Sequence, residues 1–348
     1  MASAVTESYL NENISGRLTA ATTVIVVLTT ILLALRLYAR SLAHVASGWD
    51  DILLAPAWLL CLGTCITGYL AIAHGGSGRH VEAVVMEDPD KIVVRGKLLY
   101  ALSWLSAFSN TFSRTSILVL FRRIFPPGIT RTVTDLTIVY LVLFTLAQAI
   151  VGLTECRPLA YFWDRSIAGG WCLDQFLFYR MSGILNILGD VVILILPIPT
   201  VWTLHASLAR RAGIAMVFLS GSCGLIASCV RTSYFFTAAK TSMTDPTWAD
   251  INLMAWTTVE SGLYLSAACM IGLRPLLNQM AGWVMKSRLG VFTTRGTNTR
   301  SRRSDRDDGS QLISNMKQDH IRLETFDRDR DTDERSVQWE GRKQPADV

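Results

Sequence analysis

Residues 180–204 read RMSGILNILGDVVILILPIPTVWTL, and this stretch decides the fold class. About 20 mostly apolar residues, each rising about 1.5 Å in a helix, cross a hydrocarbon core about 30 Å thick. Asn186 and Asp190 interrupt the run one helical turn apart, and therefore on one face. A carboxylate at that depth is costly unless it is paired or faces a polar cavity. We therefore predict a membrane-spanning helix whose polar face turns toward other helices.

The composition of the whole chain agrees with a membrane protein. Half of its 348 residues are hydrophobic and only 18% are charged, proportions that are uncommon in a soluble domain of this length. The sequence predicts an all-α membrane protein, a seven-transmembrane-helix bundle that occupies residues 18–278. The predicted spans are 18–37, 52–73, 98–121, 136–153, 180–204, 213–236 and 251–273.

An odd number of spans places the two ends of the chain on opposite sides of the membrane. Basic residues of the short loops are balanced between the two sides, but the residues that follow the last span are basic. The sequon Asn13-Ile14-Ser15 is an N-glycosylation acceptor if it reaches the lumen. We therefore expect a multi-pass protein of the plasma membrane or an endomembrane, with residues 1–17 extracellular or luminal and residues 279–348 cytosolic.

The last 70 or so residues (279–348) are rich in Ser, Thr, Arg and Asp and lack apolar periodicity. Such a segment is predicted to be a disordered tail with phosphorylatable sites, through which a cytosolic signalling partner could bind.

Two of the seven cysteines, Cys156 and Cys172, lie in one loop on the predicted outer side and are close enough in sequence to close it. We predict a disulfide between them that holds the loop over the bundle. It should stabilise the folded protein by about 3 kcal/mol, because it lowers the conformational entropy of the unfolded chain. The other five cysteines lie inside the predicted spans, where they are expected to act as small packing residues.

Four polar residues lie at similar depths in three of the spans. Counted from the predicted outer surface, Asp190 and Glu260 lie about 15 Å deep and Arg231 about 9 Å deep. The sequence predicts a ligand-binding site formed by Asn186, Asp190, Arg231 and Glu260 beneath the disulfide-linked loop. The alternative is that these residues only hold the helices together.

A second group of charges is predicted near the inner surface. Asp50 and Asp51 begin the second span, and Arg114 and Arg123 lie toward the end of the third. These four residues are predicted to form an inner ion-pair cluster. It would act either as a two-state latch, in which partner exchange accompanies a helix shift, or as a static anchor.

The order and spacing of several motifs resemble a large fungal family of rhodopsin-like seven-span integral membrane proteins. That family includes surface-sensing receptors of plant pathogens and a membrane protein of the satratoxin biosynthetic cluster. The resemblance implies the fold and the membrane location, and implies activity only loosely. The motifs are RLYAR at 36–40, GWDD at 48–51, GSGRH at 76–80, RTSIL at 114–118, RIF at 123–125, CRP at 156–158, Phe162-Trp163, Cys172, NILGD at 186–190, PIP at 197–199, Arg231, WTTVE at 256–260 and Arg274-Pro275.

Several classes of function are excluded or unsupported. The seventh span has no Lys, so it cannot form a retinal Schiff base. The third span lacks an acidic-Arg-Tyr triplet and the seventh lacks Asn-Pro-x-x-Tyr, so conventional G-protein coupling is unsupported. His74 and His80 alone make a poor metal site, and no cofactor is expected. Basic residues mostly flank the spans, as in other membrane proteins, and do not indicate nucleic-acid binding.

Two hypotheses of function remain open. The first is a receptor-like protein that senses a small, apolar ligand arriving from outside or from the lipid bilayer. The second is a membrane-embedded, non-redox enzyme such as a cyclase or isomerase, or an accessory factor of a secondary-metabolite biosynthetic cluster. In an enzyme, a protonated Asp190 or Glu260 would be the catalytic general acid acting on a lipophilic intermediate.

Overall fold

Seven long helices dominate the computed structural model, which describes residues 7–43, 48–124, 127–198, 208–237 and 244–273. They are 21 to 35 residues long, enough to cross a bilayer. Two short α-helices accompany them, so the α-helices of the described residues are, in chain order, α1 (Glu7–Leu10), α2 (Ser15–Ala43), α3 (Trp49–Ala73), α4 (Val81–Glu87), α5 (Asp90–Ile124), α6 (Ile129–Thr154), α7 (Gln175–Ile195), α8 (Leu208–Thr237) and α9 (Pro246–Gly272).

Four of the seven long helices are apolar enough to qualify as membrane spans by length and hydropathy alone: α2 together with the residues just before it, α3, α6 and α7. The other three, α5, α8 and α9, carry Arg114, Arg231 and Glu260 in their interiors. Charged side chains lower the hydropathy of a span without changing its length, and they turn toward protein. The predicted seven-helix membrane bundle is confirmed.

The predicted spans and the helices differ at their ends. α5 begins at Asp90 and ends at Ile124, so it is longer than the predicted 98–121 in both directions. α7 begins at Gln175 and ends at Ile195, well before residue 204. Pro197 follows closely, and it has no backbone N–H to donate to the hydrogen bonds of a continuing helix. Residues 199–207 lie outside the described part of the chain, as do residues 274–348, which include the whole of the predicted tail.

The last of the described helices, α9, forms the centre of the bundle. It contacts α2, α3, α5 and α8, and more than half of its residues are buried. Many of the buried residues are small, among them Ser261, Gly262, Ala267 and Ala268, and small side chains allow helices to approach closely. In contrast, Val139, Leu143 and Leu146 of α6 are at least half exposed, as expected for a lipid-facing surface.

Side-chain contacts show that neighbouring long helices run in alternating directions. Tyr100, near the start of α5, donates to the Gly152 carbonyl near the end of α6. Tyr179, near the start of α7, stacks on Phe235 near the end of α8, with ring centroids 5.2 Å apart. The start of α2 lies near the start of α9, because the Ile14 amide donates to the Gly78 carbonyl and the Gly78 amide donates to the Thr247 carbonyl, so the start of α2 and the end of α9 lie at opposite ends of the bundle.

The loop between α6 and α7 marks one end of the bundle, which we call the disulfide end. Strands β1 (Cys156–Arg157) and β2 (Trp171–Cys172) pair antiparallel, and Cys156 is bonded to Cys172, as predicted. The turn after α3 reaches the same end, since the Gly78 amide donates to the Thr247 carbonyl at the start of α9. Gly76 and Gly78 adopt φ of 64° and 97°, a conformation that favours glycine. We call the opposite end the Asp50 end.

Candidate functional site

A cavity of about 310 Å³ lies inside the bundle, among α5, α6, α7, α8 and α9. On α7 it is lined by Gln175, Tyr179, Ser182 and Asn186, whose spacing places them on one helical face. The eleven steps from Gln175 to Asn186 correspond to about 16 Å of helix, so the cavity is elongated along the bundle. It runs from the disulfide end to the middle of the membrane-spanning region.

The walls of the cavity are rich in aromatic rings that contact one another. Tyr100 lies edge-on to Phe162, with ring centroids 5.2 Å apart, and Trp104 stacks with Phe108 at 5.9 Å. Tyr179 and Phe235 form the stacked pair described above, and all six residues line the cavity. Mutual contact fixes the rings in place, so the cavity has a rigid, largely apolar wall.

Arg114 of α5 occupies the deep end of the cavity, and four other residues surround its guanidinium. Its Nη1 donates to Asn186 Oδ1 over 2.6 Å. Its Nη2 lies 3.1 Å from Asp190 Oδ1 and 3.3 Å from Glu260 Oε1. The ring of Tyr264 lies 4.1 Å from the guanidinium carbon, close enough for a cation–π contact. Arg114 is therefore held from α7 and α9 together.

Arg231 and Ser228 of α8 complete what we call the central cluster: Arg114, Asn186, Asp190, Ser228, Arg231, Glu260 and Tyr264. Arg231 Nε donates to Glu260 Oε2 over 2.5 Å. Ser228 Oγ lies 3.0 Å from Asp190 Oδ2 and 2.8 Å from Glu260 Oε1. Two guanidinium groups thus face two carboxylates, and the formal charges cancel. Neutrality and hydrogen bonding together make such a group tolerable in the low dielectric of a membrane.

All four residues of the predicted ligand-binding site belong to the central cluster, but they are not equivalent. Asn186, Arg231 and Glu260 line the cavity, whereas Asp190 contacts Arg114 and Ser228 and does not line it. The terminal nitrogens of Arg231 have no hydrogen-bond partner in the described residues, since its bond to Glu260 uses Nε. Arg231 is therefore the guanidinium that could meet an acceptor group of a bound molecule.

The prediction that placed Arg114 in an inner cluster with Asp50 and Asp51 is wrong. Those carboxylates pair instead with α2: Arg36 lies 2.7 Å from Asp50 and 2.8 Å from Asp51. Arg40 lies 2.5 Å and 3.0 Å from the same two residues. Asp50 and Asp51 therefore form their ion pairs with the neighbouring helix α2. Arg114 does not join them, and it lies about 15 Å before the end of α5.

Arg123, the fourth predicted member, is exposed and forms no ion pair in the part of the chain that is described. Sequence reasoning also missed two members of the central cluster, although helical spacing could have found them. Ser228 precedes Arg231 by three residues, and Tyr264 follows Glu260 by four, so each shares a face with a residue that was predicted.

Glu155 lies at the other end of the cavity, immediately after α6, and was not identified from the sequence. It is 2% exposed and lines the cavity, yet its Oε1 has no hydrogen-bond partner among the described residues. Its backbone carbonyl accepts from the Leu173 amide over 2.8 Å, which fixes its position beside the disulfide. Burial raises the pKa of Glu155 to about 7, and the charge of Arg165 acts against that rise.

Two other residues singled out in the sequence lie at the disulfide end. Asn13 accepts a hydrogen bond from the Ser15 amide over 2.8 Å, at the start of α2, and its glycosylation stays a prediction. His80 stacks between Tyr9 and Trp248, with ring centroids 3.7 Å and 4.1 Å away, and bonds to Asp245. The described residues contain no group of three or more His, Cys, Asp or Glu side chains that could hold a metal ion.

Comparison with known proteins gives consistent matches. The sequence profile of the fungal rhodopsin domain matches residues 35–279. The chain is 33% identical over 266 residues to the polyenoic acids biosynthesis gene cluster protein Ba17b of Metarhizium anisopliae, covering 73% of this chain and 71% of that protein. It is 27% identical over 276 residues to a SAT4 family membrane protein of Emericella nidulans, covering 77% and 68%.

A third relative, the fugralins biosynthesis cluster protein 2 of Gibberella zeae, is 24% identical over 309 residues, which cover 86% of this chain and 75% of that protein. No solved structure matches the chain.

Proposed function

The chain belongs to the fungal rhodopsin domain family, and we propose that it is a receptor-like membrane protein that binds a small lipophilic molecule in the central cavity. One observation carries this proposal: an aromatic cavity ends on a buried charge cluster that joins α5, α7, α8 and α9. A molecule in that cavity contacts the groups that hold the helices together, which is the arrangement a ligand-dependent switch needs.

The lining indicates what kind of molecule fits. Aromatic walls favour an extended, conjugated or otherwise apolar body. At the deep end, Arg231 offers donors to a carboxylate, carbonyl or other acceptor group. Relatives named for the biosynthesis of polyenoic acids and of fugralins support a secondary metabolite as the ligand.

The central cluster suggests how binding is transmitted. An acceptor group beside Arg231 competes with Glu260 for the same guanidinium. Weakening that contact loosens α8 from α9, the helix that is followed by the last residues of the chain. We propose that a shift of these helices changes how residues 279–348 bind a cytosolic signalling partner.

The proposed topology places the disulfide end outside the cell or in the lumen. Disulfides form in oxidising compartments, and the sequon at Asn13 lies at the same end as the Cys156–Cys172 bond. The test is glycosidase treatment of the expressed protein beside its Asn13→Gln variant. A mobility shift in the parent protein alone supports the topology. A glycan found on a site introduced into the tail overturns it.

Ligand binding can be tested on the full chain in lipid nanodiscs with cis-parinaric acid, a fluorescent polyenoic acid. We expect saturable binding above that of empty nanodiscs, and about tenfold weaker binding in Trp104→Ala, which removes a wall of the cavity. Leu143→Ala, on the lipid-facing surface of α6, is the matched control and should bind as the parent does. Equal binding by all three proteins would overturn the proposal.

The relatives named for biosynthetic clusters favour a second candidate, a non-redox enzyme or accessory factor. Asp190 and Glu260 would then be the catalytic acids, although guanidinium groups contact both and only Glu260 lines the cavity. Metabolite profiles of Asp190→Asn and Glu260→Gln strains discriminate the two functions. Accumulation of one defined precursor favours catalysis. Loss of a response on removal of residues 286–348, with binding intact, favours sensing.

A further inference from the structure

We propose that Glu155 is a second polar subsite of the cavity and accepts a hydrogen bond from a hydroxyl or ammonium group at the far end of the ligand. This inference rests on the proposed function, because it concerns the molecule that occupies the same cavity. It assigns a chemical class to that molecule: an elongated apolar chain with an acceptor group at one end and a hydrogen-bond donor at the other.

The position of Glu155 supports this role. The side chain is 2% exposed and lines the cavity at the disulfide end, where Tyr179 and Gln175 also line it. Buried polar atoms in folded proteins are nearly always hydrogen-bonded, because an unsatisfied buried acceptor is destabilising. Oε1 of Glu155 departs from this rule in the described part of the chain. A donor on a bound molecule would satisfy it.

The neighbouring cation is engaged elsewhere. Arg165 stacks on the Tyr161 ring, 4.9 Å from its centroid, and donates to Gln175 Oε1 over 3.3 Å. The charge of Arg165 acts on Glu155 through space, but Arg165 does not hydrogen-bond to Glu155 Oε1 within the described residues. The carboxyl group of Glu155 is therefore left for the contents of the cavity.

The two polar subsites lie at opposite ends of the elongated cavity. Gln175 marks the end with Glu155, and Asn186 marks the end with Arg231, a separation of about 16 Å along α7. A ligand that satisfies both must be extended and must carry its polar groups at its two ends. The aromatic rings between the subsites accommodate an apolar middle.

The test uses displacement of cis-parinaric acid from the full chain in nanodiscs by dodecanoic acid, ω-hydroxydodecanoic acid and ω-aminododecanoic acid. At least one of the two ω-substituted acids should displace the probe at about fivefold to tenfold lower concentration than dodecanoic acid, since each can donate to Glu155. The ω-substituted acid that displaces the probe at the lower concentration shows whether Glu155 prefers a hydroxyl or an ammonium donor.

Two variants locate the effect. Glu155→Leu removes the acceptor and should abolish the preference for both ω-substituted acids. Glu155→Gln keeps an acceptor without charge, so it should retain a preference for the hydroxyl acid and lose one for the amino acid. Glu82→Gln, at an exposed carboxylate away from the cavity, is the control and should match the parent protein.

The midpoint of thermal unfolding gives an independent readout. Because Oε1 of Glu155 is buried without a hydrogen-bond partner among the described residues, Glu155→Leu should unfold at the same temperature as the parent or at a higher one. A preference that persists in Glu155→Leu, or its absence from the parent protein, overturns the subsite. Failure of dodecanoic acid itself to displace the probe would instead count against the proposed function.

Discussion

Arg114 and Glu260 are 146 residues apart in sequence, yet Arg114 Nη2 and Glu260 Oε1 lie 3.3 Å apart in the middle of the bundle. The contact joins α5 to α9. Both side chains are almost fully buried, so neither charge can be compensated by water. The stability of the bundle should therefore depend on this pair far more than on any exposed one.

Replacing Arg114 tests that dependence. Arg114→Gln leaves Asp190 without its guanidinium partner and Glu260 with one fewer, and we expect a loss of about 3–5 kcal/mol of unfolding free energy. Arg114→Lys keeps the charge but not the planar fork, so its loss should be smaller. Thermal unfolding in detergent measures both. The exposed Arg123→Gln serves as the control, and an equal loss in that variant would contradict the assignment.

Arg231 and Glu260 should behave as one unit. Because Arg231 Nε donates to Glu260 Oε2, removal of Glu260 leaves Arg231 without an ion-pair partner among the described residues, and removal of Arg231 leaves the buried Glu260 with Arg114 alone. We expect Arg231→Gln and Glu260→Gln to be destabilising separately and the double variant to lose less than their sum, with a coupling of about 1–3 kcal/mol. Unfolding of the four proteins of this cycle gives the coupling. Strict additivity would mean that the contact contributes nothing.

The Asp50 end offers a comparison between a buried and an exposed ion pair. Asp50 contacts Arg36 and Arg40 and its side chain is 2% exposed, whereas Asp135 pairs with Arg122 at 43% exposure. Asp50→Asn should cost about 3 kcal/mol or more and Asp135→Asn less than about 1 kcal/mol. The difference between their unfolding midpoints is the measurement, and similar midpoints would exclude a buried network at Asp50.

The pH dependence of stability should reveal Glu155. Its pKa rises from an ordinary value of 4.5 to about 7 in the folded protein, so the folded state holds this proton more tightly than the unfolded state does. That contribution to stability is complete below pH 4.5 and is lost as the pH rises through about 7. Glu155→Gln cannot lose a proton there. Its unfolding midpoint relative to the parent should therefore rise between about pH 5 and about pH 8.

A constant difference between the two proteins across this range would contradict the raised pKa. Glu82→Gln, measured in the same buffers, controls for the effect of removing a carboxylate at an exposed position.

Much of the architecture could be predicted from the sequence because a membrane span is encoded locally, by twenty or so apolar residues. The grouping of Asn186 with Asp190 follows from helical spacing alone. Their meeting with Arg231 and Glu260 was predictable because buried charges in a bilayer have few alternatives to one another.

The partners of Arg114 could not be predicted in the same way. The predicted third span ends at residue 121, whereas α5 continues to Ile124, so Arg114 lies farther from the end of its helix than the prediction implied. The rotation of α5 about its axis also depends on packing against several helices. Glu155 was missed for a different reason. It lies in a loop, where no periodicity indicates which way a side chain points, and only the closed disulfide loop makes it part of the cavity wall.

The position of Glu260 on the last helix has a consequence for how the protein is made. Arg231 of α8 forms its ion pair with Glu260 of α9. Because α8 is synthesised first, it reaches the translocon before that carboxylate is available, and the charge of Arg231 is then unpaired. The final shape of the interior can be adopted only when the seventh helix joins the others. A chain that stops short of α9 should therefore be retained by quality control rather than exported as a smaller bundle.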